Sequence, residues 1–366
     1  MLGKVRSCEH LYSTKIQPRT SSHHSHVLNW KGTLSPGQTK ASEAVIKAIE
    51  EQSALLIWAV CGAGKTEMLF HGLEHAFTKG YRVLLATPRT DVVKELTPRL
   101  TNVFPTVPIA SYYGGSDAKD PSTPFIIATT HQVLRFYKAF DVIIVDEVDA
   151  FPYSYDKSLQ YAVTEARKPN ATMIYLSATP DKPLRQTPGL QTIKIAKRYH
   201  GHPLPVPTFR WCGHWRRKLQ KSTLPQNVLD WLKQRQRKPV FLFAPSVALL
   251  TQISAALHKH SLPHQTVHAT DPNRHTTVEA FRKGDIKLLV TTTILERGVT
   301  IANLDVAVLG AEDAVFTESA LVQIAGRVGR STDDPTGDVL FFHYGRTKAM
   351  LAAKRHIQQM NREGDE

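Results

Sequence analysis

Short runs of consecutive apolar residues recur along the chain, separated by stretches in which apolar positions return every three or four residues. The runs are SALLIWAV, RVLLAT, PFIIAT, DVIIVD and TMIYLS in the first half, and PVFLFA, IKLLVT and DVAVLG in the second. Such runs fit strands buried on both faces, whereas the stretch VALLTQISAALHKH between two of them has the helical period. Strands alternating with helices predict α/β units around a parallel sheet, and here the pattern occurs twice. Between the two sets lies HGHPLPVP, whose prolines at 203, 205 and 207 exclude a regular helix and predict the hinge. The expected division is a poorly structured segment over 1–30, a first domain over 31–196, a linker over 197–222 and a second domain over 223–366. Residues 1–30 show little periodicity, which is the reason for setting them apart.

Composition adds bounds. With 366 residues and 42% hydrophobic side chains the chain can build buried cores. No apolar run approaches the ~20 residues that span a bilayer, and the opening MLGKVRSCEHLYSTK lacks the apolar core of a signal peptide, so a cytoplasmic location is expected. Cys8, Cys61 and Cys212 are widely spaced, which fits a reducing compartment and no disulfide framework. The formal net charge of +14 favours a polyanionic partner. Most of the excess lies between Lys197 and Lys238, where eleven Lys and Arg face one acid, Asp230. Phe209, Trp211, Trp215 and Trp231 are interleaved there, and the pattern suits single-stranded nucleic acid, with Arg216, Arg217 and Lys218 as candidate contacts. The same pattern also fits a solvated linker whose tryptophans belong to the core.

Candidate chemistry starts at AVCGAGKTEML, residues 59–69, directly after an apolar strand. The phosphate-loop pattern asks for Gly, four residues, then Gly-Lys-Ser/Thr; Ala59 replaces the first glycine, and Gly62, Ala63, Gly64, Lys65 and Thr66 complete the turn. Backbone N–H groups of such a turn cradle phosphates, Lys65 reaches the β and γ phosphates, and the Thr66 hydroxyl suits Mg²⁺. A second motif, DVIIVDEVDAF, ends a strand in Asp146 and Glu147. Asp146 is placed to hold Mg²⁺, and Glu147 to orient and deprotonate an attacking water. The expected cofactors are ATP and Mg²⁺.

The order SPGQ, AVCGAGKTE, ATPR, TTHQ, DEVD, SAT, VTTTILERGVTI and QIAGRVGR resembles superfamily 2 helicases, whose fold is two tandem RecA-like domains with parallel sheets. Within that group DEVDAFPY, RYHGHPLPVP and ILERGVT resemble the ComFA-type late competence proteins, with PriA-type helicases as near relatives. The resemblance implies that Gln38 reads adenine and that Ser177 and Thr179 couple hydrolysis to domain movement. It implies backbone contacts to nucleic acid from Thr87, Arg89, Thr292 and Thr293, since hydroxyls and guanidinium groups bond phosphates without reading sequence. It puts Gln323, Arg327 and Arg330 on the second domain, where an arginine can reach the γ phosphate across the cleft. The implied function is an ATP-dependent translocase or helicase on single-stranded DNA in natural competence. Its implied partners are other competence proteins, with peripheral association at a DNA-uptake channel and no membrane span. A primosomal or repair helicase and a non-translocating, nucleotide-gated DNA scaffold are the alternatives.

The start of the chain departs from the ComFA pattern. That family carries a four-cysteine zinc module ahead of the first domain, whereas here only Cys8 stands there, so a module that is absent, degenerate or truncated away is expected. His10, His23, His24 and His26 lack the paired spacing of a closed zinc site.

Overall fold

Every predicted apolar run is a strand in a computed structural model that describes residues 27–117, 119–296 and 301–365. In the first half β1 (Ala54–Ala59), β2 (Val83–Thr87), β3 (Ile109–Tyr112), β4 (Phe125–Thr129), β5 (Phe140–Val145), β6 (Arg167–Ser177) and β7 (Gln191–Ile195) form one sheet. Its order is β3-β4-β2-β5-β6-β1-β7 and every pairing is parallel. Parallel neighbours require crossovers, which are supplied by helices α1 (Pro36–Glu51), α2 (Phe70–Thr78), α3 (Thr90–Val103), α4 (Lys157–Glu165) and α5 (Lys182–Arg185) with their loops.

The second half repeats the plan with β8 (Thr208–Trp211), β9 (Val240–Phe243), β10 (Gln265–Val267), β11 (Leu288–Thr291), β12 (Asp305–Leu309) and β13 (Val339–His343), in the order β10-β11-β9-β12-β13-β8 and again all parallel. Its helices are α6 (Trp215–Gln220), α7 (Gln226–Lys233), α8 (Val247–Lys259), α9 (Arg274–Lys283), α10 (Glu318–Ala325) and α11 (Lys348–Asp365). These are two tandem RecA-like α/β domains. One buried apolar cluster runs through both of them, from Leu55 and Ile57 on β1 to Val306 and Val308 on β12, by way of Cys61, Val322 and Ala325 at the interface.

The boundaries differ from the expected ones in the middle. Residues 208–220, read as part of a basic linker, are built into the second domain as β8 and α6. Trp215 and Trp231 are fully buried, so they serve the core; among the four aromatics named above, Trp211 is the exposed one. The connector is therefore the shorter stretch 196–207. Its prolines keep it irregular, and Leu204 is clipped by Asn361 on α11, whose side chain bonds the Leu204 N–H and carbonyl at 2.8 Å each. Helix α11 packs on α10 and returns to the first domain: Glu363 pairs with Lys194, and His356 meets the ring of Trp58 edge-on at 5.9 Å.

At the other end, Val27 is buried and Trp30 packs edge-on against Phe70 at 5.3 Å, so residues 27–30 belong to the first domain. Cys8, His10, His23, His24 and His26 lie outside the described residues. Among the described residues no group of three or more metal-ligating side chains is present, and no helix is long and apolar enough to cross a membrane.

The incorporation of α6 has a measurable consequence. Gly310, at the end of β12, has φ +75°, and a Cβ there would lie 2.2 Å from the Trp215 ring. Gly310→Ala should cost about 2–4 kcal/mol from overlap and strained backbone. Gly284→Ala, at φ +87° with only the Lys287 ammonium near, should cost clearly less. Thermal denaturation of both variants checks this; equal losses would mean that Trp215 is not clamped against the strand end.

Candidate nucleotide and nucleic-acid site

The phosphate loop leaves the end of β1 and turns into a 3-10 turn at Glu67–Leu69 before α2. Gly62 and Gly64 have φ of +82° and +73°, a region that other residues enter only with strain. Gly64 is doubly required, because a Cβ would lie 2.3 Å from Gln38 Nε2. Gln38 was expected to read adenine, but in this structure it is buried and turned to the loop. Its Nε2 donates to the Ala63 carbonyl at 3.0 Å, while Oε1 accepts the Ser35 N–H at 2.9 Å in a capping box that starts α1. Lys65 Nζ donates to the Ala59 carbonyl at 3.2 Å, and the Thr66 side chain makes no capping bond.

The loop faces a hollow of about 180 Å³ between the domains, shared by Lys65, Thr66, Asp146 and Glu147 from the first and Gln323, Arg327 and Arg330 from the second. Sites that enclose whole drug-sized ligands measure about 300–1,000 Å³, so this hollow matches the phosphate end of a nucleotide rather than all of it. Asp146 follows β5, and its Oδ1 accepts the Glu147 N–H at 2.9 Å. Glu147 has φ +54°, a strained conformation of the kind held in place at functional sites.

Motif arginines reach the same hollow. Arg327 is buried and its Nε donates to the Glu296 carbonyl at 2.7 Å; Arg330 Nε donates to the Gly326 carbonyl at 2.9 Å. Burial pushes both guanidinium pKa values down, and the Glu147 carboxylate works in the opposite direction on both. The set Thr66 hydroxyl, Asp146 carboxylate, glycine-rich turn and buried cations fits a Mg²⁺-bound triphosphate.

Two further contacts cross the cleft. Cys61 Sγ lies 3.0 Å from Gln323 Oε1, and a Cβ on Gly326 would fall 2.4 Å from Cys61 Cβ, so the phosphate loop abuts the end of α10 with no room to spare. Asp149 forms the second junction. It accepts Ser177 Oγ at 2.6 Å, Thr179 Oγ1 at 2.7 Å and, from α10, Ser319 Oγ at 2.7 Å. Thr179 and Ser319 also meet at 2.8 Å. The expected coupling residues Ser177 and Thr179 are thus joined to the second domain through Asp149 and Ser319, neither of which the sequence reading assigned a role.

The candidate nucleic-acid residues separate into groups. Thr87 is fully buried and its hydroxyl has no hydrogen-bond partner among the described residues, so in this arrangement it is not exposed for the expected backbone contact: it is the last residue of a strand flanked on both sides. Arg89 is engaged across the cleft, donating to the Ile294 carbonyl at 2.7 Å and to Asp91 at 2.7 Å. Asp91 in turn pairs with Arg274 of the second domain at 2.8 Å. Thr292 and Thr293 are partly exposed, and Thr293 lines a larger interdomain cavity of about 1440 Å³. That cavity is also lined by Phe151 and Tyr155, which are 76% and 73% exposed, and by Asp149, Thr179 and Ser319. Arg216, Arg217 and Lys218 are exposed on α6, with Arg216 paired to Asp313 at 2.6 Å.

The Asp91 junction yields a test. Burial would raise its carboxyl, but Arg89 and Arg274 outweigh burial and hold it below the usual range. A carboxylate depressed on folding contributes stability that is complete above its unfolded value, about 3.9, and lost as pH falls through the folded value. Asp91→Asn should therefore make the connector more open to proteolysis between pH 5 and 8, while the unmodified chain keeps constant protection over that range. Limited proteolysis at several pH values checks both; equal cleavage of the two proteins would remove this pair from the interdomain contacts.

Comparison with known proteins accords with this geometry. Residues 31–182 match the family described as type III restriction enzyme, res subunit, and residues 221–332 match the helicase conserved C-terminal domain. Among solved structures, Dbp5 of S. cerevisiae bound to RNA and ADP BeF3 superposes with a TM-score of 0.65 at 15% identity, covering 89% of this chain and 91% of that one. The Mycobacterium smegmatis helicase Lhr bound to ssDNA and AMP-PNP gives 0.63 at 17% identity, over 91% of this chain and 50% of that one. Competence protein ComFA of Streptococcus pneumoniae is 40% identical over 99% of this chain and 84% of its own length. Competence protein ComFA of Bacillus subtilis is 51% identical over 99% of this chain and 79% of its own length. The chain belongs to the ComFA family of competence proteins, within the superfamily 2 helicases.

Proposed function

We propose that the protein is an ATP- and Mg²⁺-dependent motor that moves on single-stranded DNA and helps draw transforming DNA into the cytoplasm, working with other competence proteins at the cytoplasmic side of a DNA-uptake channel. The observation that carries this reading is the convergence of Lys65 and Glu147 from one domain with Arg327 and Arg330 from the other on a single hollow. A scaffold that only binds has no need of a carboxylate beside a phosphate site. In this reading Lys65 neutralises the β and γ phosphates, Glu147 takes a proton from the attacking water, and the two arginines stabilise charge on the transferred group. Mg²⁺, for which Thr66 and Asp146 are suitable oxygen ligands, supplies further neutralisation of the phosphate oxygens when bound.

Movement follows from where the cations sit. Arg327 and Arg330 meet the phosphates only when the cleft is closed, so ATP favours closure and its hydrolysis releases it. The Ser177–Thr179–Asp149–Ser319 network lies between the phosphate hollow and the larger cavity, which suits it to relay that change. Exposed rings of Phe151 and Tyr155 suit base stacking, and Thr293 suits a phosphate. Arg217 and Lys218 add positive charge for the strand outside the cleft. Dbp5 bound to RNA and Lhr bound to ssDNA, each with a nucleotide or its analogue, support placing nucleic acid and nucleotide on the same two-domain frame.

Two variants separate binding from turnover. Lys65→Ala should abolish ATP hydrolysis, whereas Glu147→Gln should retain ATP binding and lose turnover, because Glu147 acts only on the attacking water. Nucleotide binding and steady-state hydrolysis measure this; a Glu147→Gln protein that turns over normally would refute the base assignment.

Arg330→Ala should retain ATP affinity while DNA-stimulated hydrolysis falls by about 10³ or more, the usual worth of an arginine finger. Arg330→Lys should rescue poorly, since an ammonium cannot reproduce the planar fork. The readout is hydrolysis with and without single-stranded DNA, and full stimulation in both variants would make Arg330 structural.

A further inference from the structure

Arg198 opens the irregular part of the connector and is 2% exposed. Its Nη1 donates to the Gly329 carbonyl, whereas Nε and Nη2 are buried with no hydrogen-bond partner among the described residues. The side chain lies along the phosphate loop: a Cβ built on Gly62 would be 3.7 Å from Arg198 Cδ and 4.0 Å from Nε. The next two residues repeat this double attachment. Tyr199 N–H donates to the Gly62 carbonyl at 3.2 Å, and His200 Nε2 meets the Gly329 carbonyl at 3.2 Å. The connector thus grips the phosphate loop of the first domain and the loop just before Arg330 in the second.

A buried guanidinium with two unanswered donors is costly unless something pairs with it. No carboxylate of the described residues does so. Burial, opposed by the Cys61 thiol and reinforced by repulsion from Arg330, brings the Arg198 pKa down to about 10. Lys65, Arg327 and Arg330 line one phosphate-sized hollow, and Arg198 lies directly behind its wall, against Gly62; a polyanion is what would answer the positive charge gathered there. A nucleic-acid strand is disfavoured as that partner, because Arg198 is inaccessible from the surface and lies against Gly62, a lining residue of the hollow.

We propose that Arg198 is a third nucleotide-contacting arginine, delivered by the connector, whose Nε and Nη2 bond oxygens of the nucleoside triphosphate held by the phosphate loop. The inference rests on the reading that the hollow takes ATP. It adds that the hinge itself touches the nucleotide, so that occupancy and hinge position are linked without passing through α10.

The test uses the full chain with a non-hydrolysable ATP analogue, comparing unmodified protein, Arg198→Met and Arg198→Lys. Three quantities are measured: analogue affinity, thermal midpoint without ligand, and affinity for an oligo-dT strand in the absence of nucleotide. Arg198→Met should bind the analogue at least about tenfold more weakly, the worth of one or two charged hydrogen bonds. Its ligand-free midpoint should be unchanged or higher, because an unpaired buried charge has been removed. Oligo-dT affinity should stay within twofold in both variants, and Arg198→Lys should recover part of the analogue affinity. Analogue affinity within twofold of the unmodified protein in both variants overturns the proposal. So does a lower ligand-free midpoint in both variants with parallel loss of analogue and oligo-dT binding, since that is the behaviour of a structural strut. Failure of the unmodified protein to bind the analogue would refute the ATP reading instead, and the role of Arg198 with it.

Discussion

The arrangement of the two domains hangs on one carboxylate, Asp149, which accepts hydroxyls from Ser177, Thr179 and Ser319. Two of these come from the end of β6 in the first domain and the third from α10 in the second. A charged acceptor bonded to three short hydroxyl side chains leaves little play, and each of those bonds is stronger than a neutral one. Its neighbours inherit that precision. Asp149 stands two residues from Glu147 and Ser319 eight residues from Arg327, so the same junction that closes the cleft sets the distance between the carboxylate and the cations of the hollow. A longer side chain at Ser319 would misplace both.

The cleft also concentrates unfavourable electrostatics. The guanidinium groups of Arg198 and Arg327, buried, and of Arg330, half-buried, lie close to one another; Glu147 acts on the last two and Glu95 on Arg330 as well. Buried like charges raise the free energy of the closed arrangement, while apolar contact through Cys61, Val322 and Ala325 lowers it. Opposed terms of this kind leave a cleft near balance, where a ligand with several negative charges can decide between open and closed. Cys61 against Gly326 fixes how closely the two loops approach once that decision is made.

Most of the fold could be read from the chain because parallel strands buried on both faces show as unbroken apolar runs. Of the strands that gave no such signal, β3, β7, β8 and β10 are the four sheet edges. IASY, QTIKI, TFRW and QTV alternate or are polar because one side of each strand has no neighbour. VLFFH at β13 is an interior strand whose apolar run the reading passed over. The basic stretch around Arg216 misled in part, since charge density marked it as linker while Trp215 and Trp231 are core residues. Lys65, Thr66, Asp146 and Glu147 stand out by residue type and local spacing, Arg327 and Arg330 by the helicase resemblance, and folding brings all six to one hollow. Ser319, Asp91 with Arg274, and Arg198 were not legible, because their partners are distant in sequence and only packing brings them together. Gln38 and Thr87 show the converse, since the side chain of one is engaged by a capping box and the loop, and the other is sealed at a strand end.

Helix α11 ends the second domain, yet Glu363 near its far end pairs with Lys194, beside the start of the connector, and Asn361 holds Leu204 within the connector. The second domain is therefore tethered to the first at both of its ends, and the two tethers lie side by side. A body held along one edge keeps essentially one rotational degree of freedom, like a door on two hinges, while sliding and twisting are suppressed. On the proposed motor reading, such a cleft opens and closes along a single repeatable arc, and each cycle is a stroke of defined length rather than a random excursion.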